Sequence, residues 1–576
     1  MALFVFPAPP VHGTSIRSIT IDGNSVFTSR EILDWLSSKP SLPYSRAIIG
    51  SDIRVITENY RKRGYLSMNV DPLSESFTSD SALVDLVINI IENRQTVLGA
   101  IITMGHQEFT DSEILSEFDL QPGDPIDEAV LEQDIEALLD RYEKLGYAFA
   151  QCRITRMVEN VGEENNTIDL TLTIDEGQRV TIDEIRVEGN KETDPSVVVR
   201  ETRLSFGEIY NPIKVNAIRQ RLNRLNIFAD VSEPELYIRE KKGGLLIKVQ
   251  EGNTNTFDGV IGYIPAGSTG QSGYVTGLAS VSMRNLFGTG RKFSFRWHRE
   301  DRFSQDLGFR YLEPWVFGLP ANVGGGFAQR QQDTSYVRRV FDLKTELMLS
   351  EELSVSLLFG SENVIPSADT TINRVFRSST ITFGAELQYD TRDDFYSPTS
   401  GATYRTDYQY GRKKISGIPA SLASQVASRV TVQKFTLDLD FFLSTFSRQV
   451  LAFGLHGREL QSGHVEEGEM FRLGGARTLR GYRENQFLGS RLAWANTEYR
   501  FLLARRSFLY GFIDTGYYFR PADDARSIPK SDAFKYGYGI GVQLETGLGN
   551  LGVSFALGQG DSFSNGKIHF GLINEF

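Results

Sequence analysis

The stretch Tyr536-Gly537-Tyr538-Gly539-Ile540-Gly541-Val542-Gln543-Leu544-Glu545 decides the fold. Large apolar residues take every second position, and Gly, Gln and Glu take the positions between. A period of two means an extended strand with one apolar face and one small or polar face. The next segment repeats the pattern: Leu551, Val553, Phe555 and Leu557 alternate with Gly552, Ser554, Ala556 and Gly558. Upstream, Phe435, Leu437, Leu439 and Phe441 alternate with Thr436, Asp438 and Asp440. A soluble sandwich keeps acids out of its core. Apolar residues outside and acids inside instead suit a closed barrel with lipid around it and a wet lumen.

Working outward from this stretch, sixteen strand-like segments fill residues 254–576, most of them long enough for the about 9–11 residues that a tilted membrane strand needs. An even number is usual for bacterial barrels. Composition agrees. Aromatics make up 11% of the 576 residues and Gly numbers 53, a mixture of strands and turns. No apolar run reaches the length of a membrane helix, since even Ala82–Ile91 is interrupted by Asp85 and Asn89. A net charge of -12 argues against a nucleic-acid partner. The single Cys152 has no internal disulfide partner and reads as a small buried thiol.

Residues 14–253 follow another rule. A strand and turn recur three times, as Ile19-Thr20-Ile21-Asp22-Gly23-Asn24, Ile101-Ile102-Thr103-Met104-Gly105-His106 and Ile185-Arg186-Val187-Glu188-Gly189-Asn190. Each is followed by two helical patterns and two alternating strands, a β-α-α-β-β unit. In the second unit Ile135, Leu138, Leu139 and Tyr142 share a helical face. The second helices end at Gly64, Gly146 and Asn226, residues that suit a left-handed cap. The boundaries read as 14–95, 96–178 and 179–253. Residues 1–13 fit either a signal-peptide remnant or a disordered leader.

The β-α-α-β-β unit resembles the POTRA domain, a periplasmic polypeptide-binding module. An open sheet edge in such a unit accepts an extended client strand through backbone hydrogen bonds. The alternative is a spacer with covered edges. In the second half, Phe471-Arg472-Leu473-Gly474-Gly475-Ala476-Arg477-Thr478-Leu479-Arg480-Gly481-Tyr482 closely resembles the signature loop of the outer-membrane assembly and translocation superfamily that includes BamA and TamA. There an Arg-Gly-aromatic tip folds into the barrel lumen, which implies an inserted loop over 461–489 carrying Gly474, Gly475, Arg480, Gly481 and Tyr482. Phe512-Ile513-Asp514-Thr515-Gly516 looks like the family's Phe-x-Asp-x-Gly strand. Asp390, Arg392, Asp393, Pro398 and Gly401 look like its Asp-x-Arg-Asp, Pro, Gly segment. His569, Gly571 and Phe576 are similar to a C-terminal insertion signal, although Asn574 stands where an apolar residue is usual.

A loop inside a lumen needs an anchor. Arg480 carries five fixed donors and a permanent charge, and Glu498 and Asp514 follow it on the next two strands. Glu498 shares a face with Asn496 and Arg500. If Asp514 is lumenal, Phe512 and Tyr510 must pack on the loop. The expected lumen is wet, so the expected contribution of this anchor to the fold is modest, about 1–3 kcal/mol. The alternative is that Arg480 is a solvated lumen charge.

Other chemistry is thin. Gly547-Leu548-Gly549-Asn550-Leu551-Gly552 matches a dinucleotide-binding pattern by letter, but it joins two strands and opens no helix. His456 and His464 lack metal-site spacing. No cofactor, metal or enzymatic role is expected. The resemblance implies three α+β POTRA domains followed by a 16-stranded antiparallel transmembrane β-barrel. It implies a place in the bacterial outer membrane with POTRA domains in the periplasm. It also implies insertion or export of β-rich, unfolded outer-membrane clients, with the organisation closest to TamA and then BamA. The bilayer is one partner, and a TamB-like inner-membrane protein at the first POTRA unit is another. Two other readings are a two-partner-secretion type pore for a dedicated passenger and a structural tether to the inner membrane.

Overall fold

The computed structural model describes residues 14–71, 73–79, 82–264, 273–299, 301–332, 335–367, 375–394, 397–504, 506–523, 528–546 and 549–573. The leader 1–13, Asn574 and Phe576 lie outside these residues. The first repeat runs β1 (Ser15–Asp22), α1 (Ser29–Trp35), α2 (Arg46–Arg61), β2 (Asn69–Val70), β3 (Ser74–Phe77) and β4 (Leu83–Ile91). The second runs β5 (Thr96–Met104), α3 (Asp111–Leu115), α4 (Glu128–Lys144), β6 (Gln151–Asn160) and β7 (Asn166–Asp175). The third runs β8 (Thr181–Glu188), α5 (Pro195–Thr202), β9 (Glu208–Ile209), α6 (Pro212–Arg224), β10 (Phe228–Val231), β11 (Glu235–Arg239) and β12 (Lys242–Glu251).

The opening strand lies parallel to the closing one, β1 on β4 and β5 on β7, and the middle strand pairs antiparallel. The middle strand is unbroken in repeat two and split in the others. In repeat three the break contains Pro234, which has no N–H to extend the ladder.

The same local chemistry builds all three turns after the opening strand. Gly23, Gly105 and Gly189 have φ of 80°, 86° and 91°. A Cβ on them would lie 2.2, 2.4 and 1.9 Å from the carbonyl oxygens of Ile90, Ile174 and Val249, so only Gly fits. The next side chain donates back to the chain: Asn24 to Phe27 O, His106 Nδ1–H to Phe109 O, Asn190 to Thr193 O. A glutamate at the end of the closing strand then collects the turn amides. Glu92 accepts from Ser25 N and Val26 N, Glu176 from Gln107 N and Glu108 N, and Glu251 from Lys191 N, Glu192 N and Thr193 N. Tyr60 and Tyr142 add hydroxyl donors to Glu92 and Glu176. Burial works to raise the pKa of these three carboxyls, but the hydrogen bonds outweigh it and hold all three below the ordinary glutamate value.

The helix face differs from the periodic reading. In α4 the buried residues are Leu131, Asp134, Leu138 and Tyr142, whereas Ile135 and Leu139 are half-exposed. Asp134 belongs to the buried face because it accepts from Asp119 N and Leu120 N, at the end of the segment that follows α3. Asp52 does the same for Ser37 N and Ser38 N in repeat one. Counting apolar residues alone could not find a buried acid.

By contacts the chain forms two compact units. One holds 1–184, 205–215 and 236–244, and the other holds 185–204, 216–235 and 245–576. In the second unit a sheet of sixteen antiparallel strands runs in chain order. Its first half is β13 (Asn255–Ile264), β14 (Tyr274–Leu286), β15 (Arg291–Arg299), β16 (Gln305–Glu313), β17 (Ala321–Gln332), β18 (Tyr336–Met348), β19 (Leu353–Pro366) and β20 (Arg377–Asp390). After β21 (Gly401–Ser416), β22 (Arg429–Phe446) and β23 (Gln449–Ser462), the chain leaves the wall as a loop with its own ribbon, β24 (Phe471–Leu473) and β25 (Phe487–Gly489). It returns as β26 (Arg491–Ala504), β27 (Ser507–Arg520), β28 (Ser531–Thr546), β29 (Gly549–Gly558) and β30 (Lys567–Ile573). Among the described residues no pairing joins β13 to β30.

Side-chain alternation follows the quoted stretch. Phe435, Phe441, Tyr536, Tyr538 and Ile540 are exposed on the outside, while Asp438 faces inward to Arg458 and His456. Within this unit, α5 and α6 hold the turns at one end of the barrel. Arg221 Nε donates to Glu351 Oε2 at 2.7 Å, Arg224 Nη2 to Asp390 O at 3.1 Å, and Trp315 Nε1 to Glu201 Oε1 at 2.7 Å. That end is therefore the one that carries these helices of the third repeat.

The glutamate caps predict a pH dependence. A carboxyl with a depressed folded pKa stabilises fully above its unfolded value near 4.3, and that stabilisation is lost as pH falls through the folded value. Hydrogen exchange of the Gln107 and Glu108 amides, taken relative to the intrinsic rate at each pH, should therefore accelerate in acid in the native chain. Glu176→Gln should accelerate it already at neutral pH, by about 1 kcal/mol of local stability.

Candidate functional site

The loop between β23 and β26 carries the candidate site. Gly474 and Gly475 turn the chain after β24, with φ of 115° and 102°. The Thr478 hydroxyl accepts from Gly474 N at 2.9 Å, and Leu479 O accepts from Gly475 N at 3.1 Å. Leu473, Leu479 and Tyr482 form a small apolar core with Leu492 and Trp494 of β26. The loop thus has a packed base of its own before any charge is placed.

Arg480 sits at the tip. Its Nε and Nη2 donate to the two oxygens of Asp514 at 2.7 Å each, a bidentate fork. Its Nη1 donates to Glu498 Oε1 at 2.6 Å, and its backbone N donates to Asp514 Oδ2 at 3.0 Å. Asn496 Nδ2 bridges Thr478 O and Asp514 Oδ1, both at 2.8 Å. Glu498 Oε2 takes Arg500 Nε at 2.9 Å. The Phe512 ring centroid lies 3.6 Å from Arg480 Cζ, and that of Tyr510 lies 5.7 Å away. Apart from the loop's own Thr478 and Arg480, every member comes from a lumenal position of β26 or β27, alternate residues of paired strands.

The setting is not wet. Arg480 is 6% exposed and Asp514 is 0% exposed. This corrects the expectation of a solvated anchor with a modest contribution, because rings and strand backbones enclose the pair. The strand glycines explain the enclosure. A Cβ on Gly537 would lie 1.9 Å from Arg480 O, and one on Gly481 would lie 2.7 Å from the Leu557 and Gly558 backbone. Gly516 abuts the Leu473 and Leu479 side chains. The small face of β28 and β29, which reads in sequence as a lumenal face, is the bed on which the tip lies.

The remaining residues singled out from sequence fall in three places. Tyr482 OH donates to Tyr536 O and accepts from Gln559 N, both at 3.0 Å. His569, on the last strand, accepts at Nε2 from Gly481 N at 3.1 Å, so it touches the loop tip. Gly571 pairs with Gly552, and Phe576 lies outside the described residues. The Asp390 group lies apart from the anchor, at the turn between β20 and β21. Arg392 chelates Asp390, and Asp393 accepts from Thr399 N and Ser400 N. Gly401 has φ 94° with Thr391 O against its α-carbon. Pro398 lies in the same turn, next to Ser397. The turn reaches strands far along the sheet, with Asp394 on Arg506 and Ser397 Oγ accepting from Gln543 Nε2 at 3.0 Å. Sequence reasoning placed Asn496 on the face of Glu498, and Gly537 and Gln543 on the small or polar face of their strand, but gave none of them a contact. The signal in each case was strand parity, which gives a face but not the residue met across the lumen.

Removing one partner of a buried pair strands the other charge. Arg480→Ala and Asp514→Asn should each lower stability by about 3–5 kcal/mol in denaturant titrations of the detergent-solubilised protein. The double variant should be little worse than either single one, and Arg480→Lys should not restore stability because an ammonium cannot form the fork. Fully additive losses would show that the residues act separately.

Comparison with known proteins agrees with this architecture. The Omp85 superfamily domain matches residues 285–576. POTRA, described as the surface antigen variable number repeat, matches 14–93, 96–177 and 180–252. An outer membrane protein assembly factor BamA of Nitratidesulfovibrio vulgaris is 24% identical over 96% of this chain and 72% of its own length. BamA of Neisseria meningitidis is 23% identical over 49% of this chain and 36% of its own length. Among solved structures, BamA from Haemophilus ducreyi lacking POTRA domains 1–3 aligns with a TM-score of 0.50 over 82% of this chain and 98% of that one, at 16% identity. CdiB from Escherichia coli aligns with a TM-score of 0.51 over 91% and 97%, at 14% identity. The chain belongs to the Omp85 superfamily, as an outer-membrane β-barrel preceded by three periplasmic POTRA repeats.

Proposed function

We propose that this chain assembles β-rich client proteins into the outer membrane, as a non-enzymatic factor of the BamA kind. The observation that carries the reading is the unpaired seam: among the described residues β13 and β30 are not joined. A strand edge in a barrel wall is a template for another strand. The loop tip bears on the strands beside that edge, through Gly537 of β28, Gln559 after β29 and His569 of β30. In this reading Arg480, Glu498 and Asp514 hold the loop, and the loop braces the seam while a client strand adds to it.

The second POTRA repeat supports delivery. Its β6 is the outer strand of the order β5-β7-β6 and is ten residues long. Ile154 and Met157 are exposed along it. Such an edge accepts an extended peptide by backbone pairing, with loose demands on its sequence. Three POTRA repeats before sixteen strands is also the organisation on which a TamA-like role rests. A TamB-like partner at the first repeat would distinguish that role.

The test is client folding into liposomes that contain the purified chain. The chain should speed appearance of the heat-resistant folded client, and a disulfide between cysteines placed on β13 and β30, in a Cys152→Ser background, should block this until reduced. Gly537→Val, which keeps all three charged residues but takes the room that Arg480 O needs and so evicts the tip, should slow folding by about tenfold or more. Ile154→Lys with Met157→Lys should weaken crosslinking of client peptides to the second repeat. An acceleration indifferent to the locked seam would refute seam templating. No acceleration, together with an inner-membrane protein crosslinked to the first repeat, would favour the tether.

A further inference from the structure

On strands β17 to β22, successive residues face the lumen and the outside in turn, and the two sets of cations have opposite fates. The lumenal ones are neutralised: Arg338 on Glu362 at 2.9 Å, Lys413 on Glu469 at 2.6 Å and Lys434 on Glu362 at 3.3 Å. Their outward neighbours are not. Arg339, Arg377, Arg412, Lys414 and Arg429 are all exposed, and none has an ion pair among the described residues. Arg339 Nε donates to a neutral partner, Gln329 Oε1.

Strand register places these cations in one belt. Gln329, Arg339, Asn363, Ser379, Lys414 and Arg429 are consecutive cross-strand partners over β17 to β22. Arg377 stands two residues further out, opposite Ser416, and Arg412 two residues further in. No acid occupies the belt. With strands about 4.8 Å apart, Arg339 and Lys414 are three strands, or about 14 Å, from each other. Arg339, Asn363, Arg377, Ser379, Lys414 and Ser416 line a depression in the outer wall.

The level of the belt identifies its surroundings. Toward the turns that α6 holds, the next outward row is mixed, with Phe327, Phe341 and Ile381 beside Ser361, Arg412 and Thr431, and the row after it is mainly apolar and aromatic: Leu343, Phe359, Phe383 and Tyr410. The belt lies at the far end of these strands from the turns at Glu351 and Asp390 that α6 holds. It therefore sits at the outer-leaflet edge of the lipid-facing band. Uncompensated cations beside lipid are unfavourable unless an anion meets them.

We propose that this belt is a binding site for a phosphate-bearing lipid headgroup of the outer leaflet. Arg339, Arg377 and Lys414 supply the charge, and the Ser379 and Ser416 hydroxyls with the Asn363 amide supply neutral donors. Guanidinium groups match phosphate oxygens in pairs, and separated cations favour a headgroup with more than one phosphate. Bound there, the lipid would fix the height of β18 to β21 in the membrane and order its neighbours on this wall.

The test is native mass spectrometry of the full chain in neutral detergent with added bisphosphorylated lipid A. Affinity should fall from the bisphosphorylated to the monophosphorylated to the dephosphorylated glycolipid, and high salt should weaken it. Arg339→Gln/Arg377→Gln/Lys414→Gln should reduce binding by about a hundredfold while the chain keeps its heat-modifiable mobility. Arg153→Gln/Arg156→Gln, in the second repeat, should leave binding unchanged. The proposal is overturned if the triple variant binds as the native chain does, or if the dephosphorylated glycolipid binds equally well. It is also overturned if inorganic phosphate displaces the lipid completely, which would mark a small-anion site.

Discussion

The guanidinium of Arg480 between Asp514 and Glu498 is the interaction around which the barrel half is arranged. A buried cation is tolerable only with its donors met and with no acid left unpaired. Two adjacent strands must therefore present carboxylates to one point, and the fork demands planar approach to Asp514. The arginine must also enter backbone first, since its own N–H bonds the same carboxylate. That requires space on the opposite side, and Gly537 and Gly558 provide it by having no side chain to meet Arg480 O and the Gly481 backbone. Charge, aromatic walls and glycine bed are one solution to one desolvation problem.

A comparable economy appears in the repeats. In each, one glutamate closes the turn after the opening strand, so the closing strand and the turn are correct only together. In repeats one and two a buried tyrosine from the second helix joins the same carboxylate. In repeat three Leu222 occupies the corresponding buried place, four residues before the left-handed cap, and the turn amides with the Thr193 side chain satisfy Glu251. Repeat three spends its charged helical residues elsewhere, with Arg221 and Arg224 on Glu351 and Asp390 O. A standard module has thereby acquired a fixed seat on the barrel turns.

The candidate mechanism places rigid and open elements side by side. The loop is held by buried charge, by an apolar base and by hydrogen bonds from Tyr482. The strands it touches lead to an edge without a partner among the described residues. In the proposed function a rigid brace next to such an edge would let one wall open without loss of the rest, because adjacent strands would stay paired to the brace.

Periodicity was sufficient to read the architecture from the chain. Alternation along Tyr536–Glu545 requires two unlike faces, and sixteen such segments have few ways to hide their backbone groups in lipid. The repeated strand, turn glycine and helical cap likewise survive as local signals, since each depends on residues close in sequence. Arg480, Glu498 and Asp514 were legible as candidates because the loop and the next two strands are consecutive. Their burial was not, because exposure depends on what lies across the lumen. The bed at Gly537, the reach of the Asp390 turn to Gln543, the buried Asp134 and the cation belt on β18 to β22 were equally hidden. Each is a contact or a register between distant segments, and tertiary packing alone decides which distant residues share a desolvated place.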